Sequence, residues 1–191
     1  ILLLFCTICL LPLQAQYNQQ LKLAWSEEFN YEGLPNPAVW DYETGYIRNH
    51  EAQYYTRNKK NAYVSNGCLV ITAHKEKVDT FSYTSASINT LGKMEFFRGR
   101  IEVCAKIPTG KGSWPAIWMM PTYDSNWPQN GEIDIMEAYL KTTAFNVTTA
   151  TLHFNGNAPQ CGGGDCRGIG YPLESHQFPQ LAYANPHTWG F

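Results

Sequence analysis

The chain has 191 residues, 44% hydrophobic and 14% aromatic, which is enough to bury one core as a single β-rich domain. Its formal net charge is −2 and no Lys/Arg cluster interrupts it. The electrostatic footprint of a nucleic-acid or anionic-membrane binder is therefore missing.

In chain order, residues 1–13 form an apolar run too short to span a bilayer. They read as the hydrophobic region of a secretory signal peptide that lacks its Met and basic start. Cleavage after Ala15 is expected, although Leu13 is large for the −3 position, leaving an exported domain over residues 16–191. No second apolar run follows, so no membrane span is expected. Cys6 and Cys9 leave with the signal, and export favours disulfides among the remaining four cysteines. Cys161-Gly-Gly-Gly-Asp-Cys166 is a loop whose glycines would let it close into a disulfide or stay open as two thiols. Cys68 and Cys104 lie in strand-like runs and read as ordinary buried thiols. Among these four, no Cys-x-x-Cys or His partner offers metal-ligand spacing.

From Leu21 onward the pattern is short β-rich runs with turn punctuation. Residues 69–73 follow a turn at Ser65-Asn-Gly67. Residues 100–107 alternate cleanly and stop at Pro108-Thr-Gly-Lys-Gly112. Residues 147–154 form another run, preceding a Gly-rich stretch over 155–170, and Asn146-Val-Thr148 is a glycosylation sequon. No segment sustains a helical period for three turns and no internal repeat occurs, which predicts an antiparallel β-sandwich. Six Trp, twelve Tyr and nine Phe exceed what such a core needs. The surplus suits a sugar-binding cleft, because a pyranose ring lies flat on an indole, although most Tyr and Phe are expected in the core.

Residues 131–137, Gly-Glu-Ile-Asp-Ile-Met-Glu, carry the chemistry. A strand puts Glu132 and Asp134 on one face and Ile133 and Ile135 on the other. Glu137 has the wrong parity, and a β-bulge at Ile135-Met136 would restore it to the acidic face. Three crowded carboxylates cannot all ionise, so one can stay protonated while a neighbour stays anionic. Glycosidic bond cleavage needs that division. The competing reading is an edge strand with a solvated acidic face.

Glu132-Ile-Asp134-Ile-Met-Glu137 resembles the bulged active-site motif of glycoside hydrolase family 16. Gly112-Ser-Trp114-Pro-Ala-Ile-Trp118-Met-Met-Pro121 is similar to the segment that precedes it in laminarinase-type members. Trp25-Ser-Glu-Glu-Phe29-Asn30, Glu51-Ala-Gln-Tyr-Tyr55-Thr56, Tyr83-Thr-Ser85, Gly99-Arg100-Ile-Glu-Val103, Leu152-His153-Phe154 and His187-Thr-Trp189 extend the match in the expected order over residues 23–191.

The resemblance implies a jelly-roll sandwich with a concave substrate cleft. Residues 187–191 look like the opening of a core strand, and family members continue beyond it, so the C-terminal strands of the domain are expected to be missing. It makes Glu132 the nucleophile, Glu137 the general acid/base and Asp134 the group that tunes them, with the two Glu roles exchanged as the alternative. Glu137 would then need a pKa raised by its two neighbours. Trp114 and Trp127 are expected to stack on sugar, and Trp118 to lie in core or cleft. His153 should point at the carboxylates, and Asn49 and Glu51 should line the non-reducing side. Ser87 departs from the pattern, because some laminarinases carry an Arg there that grips a distal sugar. Glu28, with the Gly67 carbonyl, falls where many relatives hold a structural Ca²⁺.

The function implied is a secreted, monomeric, retaining endo-β-1,3-glucanase acting on polysaccharide with no catalytic cofactor. The alternatives are a hydrolase of mixed-linkage β-glucan or a marine galactan, and a non-catalytic β-glucan recognition protein. The last class loses catalytic Glu residues, and here Glu132, Asp134 and Glu137 are all present.

Overall fold

The computed structural model describes residues 21–108, 110–123, 127–138, 147–154, 171–177 and 187–190. The proposed leader, the sequon residue Asn146 and the Cys161/Cys166 pair lie outside them. Every regular element among the described residues is a strand, as the alternation predicts: β1 Asp41–Glu43, β2 Gln53–Tyr55, β3 Ala62–Ser65, β4 Cys68–Ile71, β5 Tyr83–Ser85 and β6 Ser87–Asn89. They continue with β7 Glu102–Ala105, β8 Ala116–Met119, β9 Glu132–Glu137, β10 Val147–His153, β11 Tyr171–Gln177 and β12 His187–Gly190. No helix among them is long and apolar enough to cross a membrane.

The central sheet has the order β11-β10-β9-β8, all antiparallel. β12 pairs with β7 and also packs against β9, which sets this pair across the core from the central sheet. Between them lie Ile107, Ile135, Met136 and Ala138, all 5% exposed or less. Ile101, Ala105, Ile117, Met119 and Ile133 pack around that cluster. Burying a side chain such as Met136 contributes roughly 1.5–3 kcal/mol.

The long runs expected over 69–73 and 100–107 are trimmed to β4 and β7. Pairing is antiparallel except between β2 and β5, which run parallel. β11 was not foreseen; its Pro172 stands opposite Thr151, beside the register shift at Ala150/Thr151, and β11 is the last strand of the described sheet, the kind of place where a strand accepts proline. Cys68 and Cys104 are exposed, not buried as expected. Cys104 falls on the outward parity of β7, between half-buried Val103 and Ala105, and Cys68 opens β4 directly after the exposed turn residues Asn66 and Gly67.

Beneath the β3–β4 hairpin a second, polar centre forms. Asn61, fully buried, donates through Nδ2 to the Thr72 carbonyl and to Thr84 Oγ1, and its Oδ1 accepts from Thr56 Oγ1 at 2.6 Å. A buried amide is tolerated when its bonds are made, and these tie four segments together.

Candidate active site

β9 is the ruler of the site. Toward β8, Met136 pairs with Ile117 but Asp134 pairs with Trp118, so β9 carries one more residue than its neighbour. Toward β10 the same excess separates Glu137↔Thr149 from Asp134↔Thr151. The bulge expected at Ile135-Met136 is therefore present, and both its residues turn into the core. Glu137 returns to the face of Glu132 and Asp134. Residues directly opposite on neighbouring strands share a face, so Trp118, opposite Asp134, and His153, opposite Glu132, join the acids.

Among the described residues, each acid has a close hydrogen-bond partner. Trp127 Nε1 donates to Glu132 Oε2 at 2.5 Å, and Trp114 Nε1 donates to Glu137 Oε1 at 2.9 Å. His153 Nε2 meets Asp134 Oδ2 at 2.8 Å. The Trp127 ring tilts against the His153 ring, centroids 5.7 Å apart. Trp114 and Trp127 keep 42% and 46% of their surface exposed, leaving area for a sugar while their N–H groups hold the carboxylates.

Asp134 is buried, at 3% exposure. Burial first, then the charges of Glu137 and Glu132, push its carboxyl up to about 7, against the opposing hydrogen bond from His153. The raised carboxyl is thus the central one. A proton on His153 Nε2 would be donated to Asp134, and a proton on Oδ2 would be donated to Nε2; among the described residues, buried His153 Nδ1 has no hydrogen-bond partner.

Glu132, Asp134 and His153 offer ligand atoms within 4.8 Å of one another, the one such group among the described residues, and Glu28 is not in it. Glu28 is exposed, and Gly67 sits at φ +71° in the β3–β4 turn. That turn is tied to the N-terminal segment by Asn66 N–H donating to Glu32 Oε1 at 2.9 Å.

A second wall faces Trp118. Glu51 Oε2 accepts from Tyr55 O–H at 2.7 Å and from Gln53 Nε2 at 2.8 Å. Burial, then the Glu51 contact, push the Tyr55 phenol up to about 12, so it remains a donor. Asn49 is exposed at φ 57°, followed by His50 at φ 51°. Sequence reasoning passed over Arg48 and Glu43, which complete this wall. The Arg48 guanidinium lies 5.0 Å from the Trp118 ring centre and 5.9 Å from that of Tyr55. It is hydrogen-bonded to Glu43, and Glu43 also accepts from Ser87 Oγ at 2.5 Å. Only the adjacency of Arg48 to Asn49 could have flagged it.

Comparison with known proteins bears on this arrangement. The profile of the XgeA-like, catalytic GH16 domain matches residues 38–162. The chain is 51% identical over 123 residues to a beta-glucanase of Rhodothermus marinus, covering 61% of this chain and 43% of that protein. It is 36% identical over 179 residues to a glucan endo-1,3-beta-glucosidase of Cryptopygus antarcticus, covering 88% of this chain and 61% of the relative. The solved laminarinase from Rhodothermus marinus superposes with a TM-score of 0.76 at 40% identity, covering 88% of this chain and 66% of that one. The strand-only architecture is thus that of a jelly-roll β-sandwich. Bulged strand, paired acids and matched sequence agree, and the chain belongs to glycoside hydrolase family 16.

Proposed function

We propose that the protein is a secreted, monomeric, endo-acting β-1,3-glucanase that works with retention of configuration. The observation that carries this reading is the one-residue bulge in β9, which sets Glu132, Asp134 and Glu137 on one face. The names of the relatives, a beta-glucanase, a glucan endo-1,3-beta-glucosidase and a laminarinase, support β-1,3-glucan as the polysaccharide.

Retention requires two carboxyls about 5–5.5 Å apart, one nucleophile and one proton donor. Glu132 attacks the anomeric carbon while Glu137 gives its proton to the departing glycosidic oxygen. Water then attacks the glycosyl ester, Glu137 takes the water's proton, and Glu132 leaves as a carboxylate. Trp127 N–H orients the nucleophile and Trp114 N–H orients the acid/base. A proton shared between Asp134 and His153 offsets one negative charge of the row, which lessens the repulsion among the three carboxyls. Enzymes of this family need no catalytic cofactor.

Glu28 and the Gly67 carbonyl offer the oxygen donors calcium takes, from stretches joined by the Asn66–Glu32 contact. We propose a structural Ca²⁺ there; EGTA should then lower the melting temperature of wild type and leave that of Glu28→Ala unmoved, and equal shifts in both would refute it.

Reducing-sugar release from laminarin tests the activity, with agarose and barley β-glucan in parallel. Wild type should turn over laminarin fastest, and Glu132→Ala should lose roughly 10³-fold or more. Cleavage of agarose alone would overturn the substrate, and laminarin binding without turnover would make the protein a recognition module.

The pH dependence of stability tests Asp134. Its folded pKa of about 7 lies above the ordinary 3.8. The proton it binds on folding therefore stabilises fully below pH 3.8, and that stability is lost as pH rises through about 7. Urea unfolding should show Asp134→Asn gaining on wild type between pH 4 and 7 and levelling above. A pH-independent difference would contradict the assignment.

A further inference from the structure

One face of the Trp118 ring is already occupied. Trp118 stands opposite Asp134 in the register, and over its ring sits the half-buried Arg48 guanidinium, 5.0 Å from the ring centre. A cation over an indole face is a favourable contact that also excludes another flat group from that face. Trp118 therefore carries a polar fork over that face rather than a bare indole surface.

Three further observations show that Arg48 is held in place. Glu43, at the end of β1, accepts its Nη2–H, and the same Glu43 oxygen accepts from Ser87 Oγ on β6. Tyr55, anchored by Glu51, lies 5.9 Å from the guanidinium on another side. The loop that delivers Arg48 puts two consecutive non-glycine residues, Asn49 and His50, in the left-handed region, a conformation that persists only where surrounding structure enforces it. Glu43 is the one described hydrogen-bond partner of the fork, and the Arg48 side chain keeps 23% of its surface exposed. A guanidinium carries five N–H donors, so the fork has donors to spare.

We propose that Arg48, with Glu43 beside it, binds a pair of adjacent sugar hydroxyls in the cleft and is a specificity-determining residue of this protein. A vicinal diol both donates and accepts. The Arg48–Glu43 pair presents planar donors next to a carboxylate acceptor, which matches it, whereas a bare indole would offer only an apolar face. Because Glu43 balances the charge, the site fits a neutral glucan better than an anionic one. The inference rests on the proposed glucan-binding function and adds the contact that function would use.

The test is binding, measured apart from turnover. Laminarihexaose titrated calorimetrically into Glu132→Ala gives the reference Kd, and laminarin hydrolysis by wild type reports separately on the proposed activity. Adding Arg48→Ala should weaken binding about 10- to 100-fold, the value of a hydrogen bond to a charged group. Arg48→Lys, which keeps the charge and loses the fork, should recover only part, and the melting temperature of each variant shows that it folds. If Arg48 only caps Trp118, its removal uncovers the indole for stacking, and binding stays within twofold or tightens. That result would overturn the proposal even if wild type hydrolyses laminarin; weakened binding would uphold it even if wild type does not.

Discussion

One extra residue in β9 governs the rest of the site. A regular strand would send Glu137 into the core with Ile133 and Ile135, at a desolvation cost of several kcal/mol for an unpaired carboxylate. The bulge accepts two successive apolar residues, Ile135 and Met136, on the core side and returns Glu137 to the cleft side. The same residues that make the motif chemically useful thus also close the hydrophobic cluster with Ile107 and Ala138. Site and core are fixed by one backbone irregularity, so neither can shift register without the other.

Crowding three carboxylates on that face raises an electrostatic problem that the neighbouring strands answer. Glu132 and Glu137 each receive an indole N–H, and Asp134, the most buried of the three, is paired with His153 and titrates near neutrality, at about 7. The apolar surroundings that make a third carboxylate costly also strengthen each hydrogen bond that holds it. The tryptophans therefore serve two ends, with one edge bonded to an acid and half-exposed faces turned outward. The opposite wall follows a related logic, with Glu43 and Glu51 anchoring Arg48 and Tyr55 around Trp118.

Much of this was legible from residues alone. The parity of Glu132, Asp134 and Glu137 dictated a bulge, and its position follows because Ile135-Met136 is the only apolar pair between acids. The strand-only architecture was visible in short alternating runs. Other features depend on contacts far apart in sequence. The parallel β2–β5 pairing leaves no trace in the alternation of either strand. Cys68 and Cys104 were read as buried from their residue type, whereas exposure depends on which parity faces the core. Arg48 became meaningful only when β1, β6 and β8 brought Glu43, Ser87 and Trp118 to it. The raised carboxyl of Asp134 was not foreseen; it arises because burial and two flanking charges converge on the central residue of the row.

The central claim is that the bulge presents Glu132 as a nucleophile and Glu137 as its acid/base partner. Covalent trapping reads this directly. A 2-deoxy-2-fluoro laminaribioside with a good leaving group slows both steps but lets the glycosyl ester accumulate. Peptide mapping by mass spectrometry should find one fluorinated laminaribiosyl group esterified to Glu132 and no label in Glu132→Ala. A label on Glu137, or laminarin hydrolysis with inverted product and no label, would contradict the account.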